Sequence, residues 1–363
     1  MMNRDAYFHE LRETSDAVKP IIRRWLTSFL DRHQEVPRRI FYLASRRTKK
    51  SSLLLKPYLV RLSYEATGGT DWERISPICA AAELMNISSY QANLSFDGKH
   101  GLRSNRDKSN QFVASMITRE MVSGITYDVT RRLGLSSSQA QTVQHAFSES
   151  NAHIYVGQYY DLNVFNLTSL GLFDDFSYYL KLYLEKCANL SGAFSEQCAF
   201  IGGALSGASE SATAALRVLG KHFGTGLHIV NDIADFVPRQ ALATDSLRTG
   251  RDQCNDLREG KLTLPVVYAL KFGNEAQSQF IISLIGHRPV SDDDALRVVQ
   301  VLSETGALEF ARGLAKKYWR TARTALSELP PSAKRSMLSV MLSQLRTNKY
   351  FHNLRGILYG QQH

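Results

Sequence analysis

Apolar residues recur along this chain at intervals of three and four, the spacing of one face of a helix. Within residues 76–94, Ile78, Ala82, Met85 and Ser89 share such a face. The same period predicts helices over residues 111–131, 138–160, 176–206, 209–237, 264–272, 292–329 and 331–345. Strand-like alternation is nearly absent. Loops are expected at residues 67–70, 97–105 and 238–261, where glycine and polar residues cluster. No linker-like gap divides the chain. The expected fold class is all-α, a single helical domain spanning residues 1–363.

Composition changes this picture little. With 363 residues the chain has room for one large domain or two small ones, and 44% hydrophobic and 21% charged residues is an ordinary globular balance. No tract is biased enough to predict long disorder, and no repeat of fixed period is found. The longest apolar stretches are broken well short of a membrane span, so no transmembrane segment is expected. Residues 1–12 carry charges throughout and do not read as a secretory signal. Cys79, Cys187, Cys198 and Cys254 lack metal-ligand or redox spacing and read as buried free thiols of a reducing, cytoplasmic protein.

The net charge of +10 raises the question of nucleic acid, but no basic arm or nucleic-acid motif accompanies it, and none is expected as a partner. The densest basic run, Arg46, Arg47, Lys49 and Lys50, has two readings: a solvated surface, or part of a polyphosphate site.

Candidate chemistry gathers between Gly224 and Pro265. On a helix Asn231 and Asp235 lie one turn apart, with Asp232 beside them. Magnesium takes oxygen ligands of this kind and completes its shell with water and substrate phosphate. An isolated acidic helix face is more often simply solvated. Here it is followed by a loop in which Gly260 precedes Lys261, freeing that ammonium to reach a phosphate. Thr263 is placed to N-cap the next helix, with Pro265 in its first turn.

The segment resembles the second aspartate-rich motif of the trans-isoprenyl (polyprenyl) diphosphate synthases and their following loop, GKxxGxDLxxGKxTLP. Arg251 and Cys254 stand here for the usual Lys and Gly. The resemblance runs over roughly residues 40–347, leaving extensions at both ends. Gly157, Gln158, Asp161 and Leu162 resemble the GQxxDL helix, and Lys186, Cys187 and Ala188 resemble the KTA element. Residues 80–97 match the helix bearing the first motif, and Arg103 matches the first of two paired arginines.

This likeness implies a bundle of long helices around a central apolar pocket, usually dimeric. A homodimer is therefore expected, with a heteromer as the alternative. It implies a Mg2+-dependent prenyltransferase of isoprenoid biosynthesis acting on an allylic prenyl diphosphate. The implied metal ligands are Asn93, Asp97, Asn231, Asp232 and Asp235. The implied diphosphate contacts are Arg103, Lys186, His228, Arg251 and Lys261, and the implied catalytic set is Asp232, Asp235, Lys186 and Lys261. Metal and cationic side chains would stabilise the departing diphosphate, while a dry pocket shields the allylic cation from water.

Departures from the family pattern thin the allylic site and weigh more heavily on the acceptor side. The first motif, usually DDxxD, reads Asn93-Leu94-Ser95-Phe96-Asp97, so only its last Asp is kept, and Asn93 offers a side-chain carbonyl in place of the first. In the second motif Asn231 replaces an Asp, and His228 stands where Gln is usual. The homoallylic motif GKRxRP aligns with residues 52–57, so Leu53 replaces its key lysine; Asn86 replaces a histidine and Ser104 the second arginine. Each charge-assisted contact is worth about 1.5–3 kcal/mol, so losing three removes roughly 4–9 kcal/mol, about three or more orders of magnitude in affinity. Lys56 is retained, and the run 46–50 offers replacement charge.

Ser88 and Ser89, at the positions that form the pocket floor in the family, leave it open for a chain of about twenty carbons or more, unless Met85, Tyr90 or another helix supplies the floor. Prenyl transfer to an unknown acceptor other than isopentenyl diphosphate is the leading expectation. His228 or Asp161 is then a candidate base or diphosphate contact, against a purely structural role for the histidine. A terpene cyclase, a non-catalytic or regulatory subunit of a heteromeric synthase, and an ordinary elongating synthase are the alternatives.

Overall fold

Helix follows helix along the chain. The computed structural model describes residues 4–35, 44, 47–49, 52–96, 105–131, 133–166, 171, 174–236, 254–287 and 290–346, with the side chains of 91–96, 105–115, 118, 129 and 344–346 outside that description. In order these are α1 (Arg4–Arg32), α2 (Leu55–Ala66), α3 (Trp72–Phe96), α4 (Asn105–Arg131), α5 (Ser137–Asn163) and α6 (Phe176–Cys187). A π turn (Ala188–Gly192) leads directly into α7 (Ala193–Ser206). Then come α8 (Glu210–Ala234), the short α9 (Asn255–Arg258), α10 (Leu264–Phe272), α11 (Glu275–Leu284), α12 (Asp292–Glu304) and α13 (Ala307–Thr324). A 3-10 turn (Ala325–Glu328) and α14 (Ala333–Arg346) complete the series.

The all-α expectation holds. Among the described residues the only β pairing is an isolated bridge between Asn166 and Lys261. No described helix is long and apolar enough to cross a membrane.

Two corrections concern element boundaries. The helix expected over 292–329 is broken, because Gly306 adopts a left-handed φ of 76° between α12 and α13, a conformation that ends a helix and suits glycine. Four helices, α1, α2, α9 and α11, were not expected, α9 falling inside the loop expected over 238–261. In α11 the signal was present: Asn274 and Gln277 form a reciprocal capping box at its start.

The chain divides into two compact units. The first comprises Met1–Ala152, Phe194–Gly220 and Ala325–Met341. Val18, Ile22, Leu54, Tyr58, Leu59, Leu62, Cys79 and Leu84 form part of its core. Polar side chains bind its elements together: Arg61 pairs with Glu13 at 2.9 Å and lies 3.9 Å over the Trp72 ring, and Lys334 reaches Glu10 and Glu65 at 2.9 and 3.0 Å.

The second unit comprises His153–Ala193, Lys221–Thr324 and Leu342–His363. Its packing is aromatic. Phe176 of α6 meets Tyr268 of α10 and Phe310 of α13 edge-on at 5.6 and 5.7 Å, while Tyr268 stacks on Phe310 at 4.6 Å. These offset and edge contacts suit the ring quadrupoles and lock α6, α10 and α13 together. Asp175 caps α6 by accepting the backbone N–H groups of Ser177 and Tyr178.

Candidate functional site

The second unit gathers the charged side chains of most interest. Asp161 lies in the last turn of α5, three residues after Gln158; Lys186 closes α6; Lys261 follows α9. Lys186 Nζ donates to Asp161 Oδ1 at 3.0 Å and Lys261 Nζ to Asp161 Oδ2 at 2.7 Å, so one carboxylate holds two ammonium groups. All three residues are largely withdrawn from water. The backbone fixes Lys261 as well, since Leu262 N–H donates to Phe165 O at 3.1 Å and Lys261 N–H to Asp256 O at 2.9 Å. Lys186 also lies 4.9 and 5.2 Å from the ring centroids of Phe165 and Tyr183, a cation–π arrangement.

Charge pairing controls ionisation here. Burial acts to raise the Asp161 pKa, but Lys261 and Lys186 outweigh it and hold the carboxyl well below the usual range. Burial likewise acts to lower Lys186, and Asp161 and Asp232 overcome it, so this ammonium stays charged.

Asp232 and Asp235 have different surroundings. Tyr183 O–H donates to Asp232 Oδ2 at 2.8 Å, and His228 Nε2 lies 3.8 Å from Oδ1. Burial lowers the His228 pKa despite that carboxylate. Asp235 has other partners. Its Oδ1 and Oδ2 accept the backbone N–H groups of Asn255 and Asp256 at 3.1 and 3.0 Å, and its carbonyl accepts Cys254 N–H at 2.8 Å. Asp235 thus fastens the turn that leads to Lys261.

Cys254 is the one non-glycine residue with left-handed backbone among those described, at φ 55°. The position at which the family motif carries Gly therefore demands a conformation costly for any side chain, by roughly 1–2 kcal/mol. The Cys254 side chain is fully buried, which offsets part of that strain. Cys254→Gly is expected to change stability by less than about 1 kcal/mol, whereas the β-branched Cys254→Val costs more than about 2 kcal/mol. Chemical denaturation measures both, and a harmless Val would refute the strain argument.

Two polar atoms of motif residues stand apart. Gln158 Oε1 and Thr263 Oγ1 are buried without hydrogen-bond partners. Thr263 does occupy the N-cap position of α10, but its side chain makes no capping bond, contrary to expectation. Pro265 lies in the first turn as expected.

Several of the remaining candidates lie wholly or partly outside the described residues. Asp97, Arg103 and Arg251 lie outside the described residues, as does Ser104; Asn93 lies on α3 with its side chain outside the description. Asn231 is partly buried on α8. In the first unit, the Ser88 hydroxyl donates to Arg119 O at 3.2 Å and lies 3.1 Å from Ser123 Oγ, facing α4. Ser89 donates to Met85 O at 3.0 Å. Arg47, from the basic run, pairs with fully buried Glu83 at 2.8 Å. Lys56 is buried, in close contact with Ser195 Oγ and 5.6 Å from the Phe194 ring centroid. Burial depresses its pKa although Cys198 and Glu83 oppose the shift. Asn86 Nδ2 lies 3.4 Å from both Glu83 oxygens.

The family model of polyprenyl synthetase matches residues 112–302, more than half of the chain. The chain belongs to the polyprenyl synthetase family. Among its relatives, the geranylfarnesyl diphosphate synthase of Aeropyrum pernix is 30% identical over 218 residues, 60% of this chain and 63% of that protein. The prenyl transferase of Cyanophora paradoxa is 31% identical over 172 residues, covering 47% and 49%. These matches span less than two thirds of the relatives' own lengths.

Solved structures share the fold of this polyprenyl synthetase family member. Geranylgeranyl pyrophosphate synthetase from Pyrococcus horikoshii Ot3 matches with a TM-score of 0.74 at 20% identity, covering 95% of this chain and 99% of that one. A polyprenyl synthase from Caulobacter crescentus CB15, complexed with calcium and isoprenyl diphosphate, matches with a TM-score of 0.73 at 20% identity, covering 93% and 97%.

Proposed function

We propose that the chain is a magnesium-dependent prenyltransferase that binds and ionises an allylic prenyl diphosphate and transfers the prenyl group to an acceptor other than isopentenyl diphosphate. The observation that carries this reading is the pairing of Lys186 and Lys261 on Asp161. It keeps two cations ready, in a largely dry setting where their charge acts strongly on a diphosphate. Asp161 holds Lys186 charged and pairs with Lys261, and an arriving diphosphate competes with it for their hydrogen bonds.

The donor set fits a magnesium ion of the sparsely anchored kind, which takes one or two carboxylates and fills its shell with water and phosphate. Asp232 and the Asn231 side-chain carbonyl would hold it. Both Asp235 oxygens already serve backbone amides, and among the described residues no group of three His, Cys, Asp or Glu side chains is arranged around one point. Bound magnesium would offset the charge that develops on the departing diphosphate. Arg103, Arg251, Asn93 and Asp97 enter the proposal on resemblance alone, as does the homodimer, while the cytoplasmic location is supported by the four free, buried cysteines.

The acceptor assignment is supported in the first unit. Leu53 supplies no charge where the family has lysine, Arg47 is committed to Glu83, and Lys56 is buried against Ser195. A second reading, elongation with isopentenyl diphosphate, is favoured by the names of the relatives, such as the geranylfarnesyl diphosphate synthase.

Incubation with magnesium and prenyl diphosphates of several lengths, with and without isopentenyl diphosphate, separates these readings. Pyrophosphate release that needs cell extract but not isopentenyl diphosphate is the expected result. Longer diphosphates would establish elongation instead. A hydrocarbon or alcohol formed without any acceptor would establish cyclisation, and complete inertness would favour a non-catalytic subunit.

A further inference from the structure

Phe165 belongs to no motif, yet it links the supports of both lysines. It follows α5, whose end is closed by the Val164 and Phe165 N–H groups donating to Tyr160 O at 2.9 and 3.0 Å. The Asn166 side-chain amide donates to Leu162 O at 2.7 Å, so carbonyls that a helix end leaves open are taken up within the turn. Residues 164–166 are thereby fixed to α5, the helix that carries Asp161.

From this turn Phe165 acts in two directions. Its ring centroid lies 4.9 Å from Lys186 Nζ, with the Tyr183 ring at 5.2 Å from the same atom. Its backbone carbonyl accepts Leu262 N–H at 3.1 Å, next to Lys261. Tyr179 holds Leu262 from its other end, donating its hydroxyl to Leu262 O at 3.2 Å. The Phe165 ring meets the Tyr179 and Tyr183 rings edge-on at 5.7 and 6.3 Å, and all three residues are fully buried.

Rings hold a cation differently from a carboxylate. An ammonium has three N–H donors and no acceptor. Asp161 takes one donor of Lys186 at 3.0 Å. Attraction to a ring face comes from the ring quadrupole and is strongest where water is excluded, as it is around Lys186. When a diphosphate oxygen takes over the bond to Asp161, the ring faces still hold the ammonium in place. An aliphatic side chain at position 165 would fill the space without holding the charge.

We propose that Phe165 is a positioning residue: its ring seats the Lys186 ammonium and its carbonyl fixes the Lys261 turn, keeping both cations in register while a diphosphate displaces Asp161 from them. The diphosphate rests on the function proposed above; the seat for Lys186 does not.

NMR of the whole protein tests the seat without any ligand. The Lys186 ε-methylene resonance, identified by its loss in Lys186→Met, is expected upfield of those of exposed lysines, because the ammonium lies over two rings. Phe165→Leu is expected to move it downfield. An unchanged resonance would overturn the proposal.

Calorimetry with inorganic pyrophosphate and magnesium tests the use of the seat. Mono-, di- and trifluorinated phenylalanine at position 165 drain charge from the ring face while nearly keeping its shape. Affinity is expected to fall stepwise, by about fivefold across the series, with KM for the allylic diphosphate rising in proportion and kcat within about twofold. Flat affinity across the series would reduce Phe165 to packing and overturn the proposal. Should Phe165→Leu fail to fold, the fluorinated proteins still decide. Absence of pyrophosphate binding in wild type would instead strike the diphosphate reading, while the Lys186 resonance judges the seat by itself.

Discussion

Asp161→Ala is expected to destabilise the protein by about 3–5 kcal/mol, because removal of one partner leaves buried charge uncompensated. Two ammonium groups, at 3.0 and 2.7 Å, lose their shared counter-ion at once. Lys186 is the more severely affected, being almost wholly enclosed, whereas Lys261 retains a carboxylate neighbour in Glu259 at 3.9 Å. Urea denaturation of wild type and variant gives the difference directly, and a loss below about 1 kcal/mol would show that water reaches the lysines.

The pH dependence has a defined sign. The folded Asp161 pKa is depressed, so its contribution is complete above the ordinary aspartate value of about 3.9 and is lost as pH falls toward the folded value. The folded Lys186 pKa is raised, so its share is complete below the ordinary lysine value of about 10.4 and is lost as pH rises through the folded value. The gap between wild type and Asp161→Ala should therefore be flat from about pH 4 to about pH 10 and narrow on either side.

The second large effect separates two carboxylates that look alike in sequence. Asp232→Asn keeps an oxygen for the Tyr183 hydroxyl and removes the charge, so turnover is expected to fall about 10²–10³-fold with stability changed by less than about 1 kcal/mol. Asp235→Ala strips acceptors from two buried backbone N–H groups, each costing about 1–3 kcal/mol, for a total of about 2–6 kcal/mol. Its activity should fall too, through loosening of the turn that leads to Lys261. Paired kinetics and thermal melts distinguish the cases. A near-wild-type rate for Asp232→Asn would remove the metal assignment, and an undiminished melting temperature for Asp235→Ala would show that the two amides find other partners.

Much of the helical skeleton was legible in the sequence. The expected helix at 264–272 coincides with α10, and those at 76–94, 138–160 and 209–237 fall within a few residues of α3, α5 and α8. These helices carry apolar faces whose period survives any tertiary context. In α1 the apolar series Leu11, Val18, Ile22 and Leu26 was present but overlaid by many charges, so the helix was missed. The run 176–206 read correctly as continuous helix, yet its π turn left no local mark. One inserted residue changes the hydrogen-bond count of a turn without altering composition, and its consequence appears only where Gly192 meets Thr225.

By itself the sequence determined the helical class, the family resemblance and the residue types available for diphosphate chemistry, because periodicity and motif spacing are local properties. The tertiary structure alone decided how those groups are used. Asp161 meets lysines 25 and 100 residues away along the chain, Arg47 is committed to Glu83, and Asp235 serves backbone amides while Asp232 faces His228 and Tyr183. Which oxygens remain available to a ligand depends on what distant elements bring within about 3 Å, and hydrogen bonding is settled at that range.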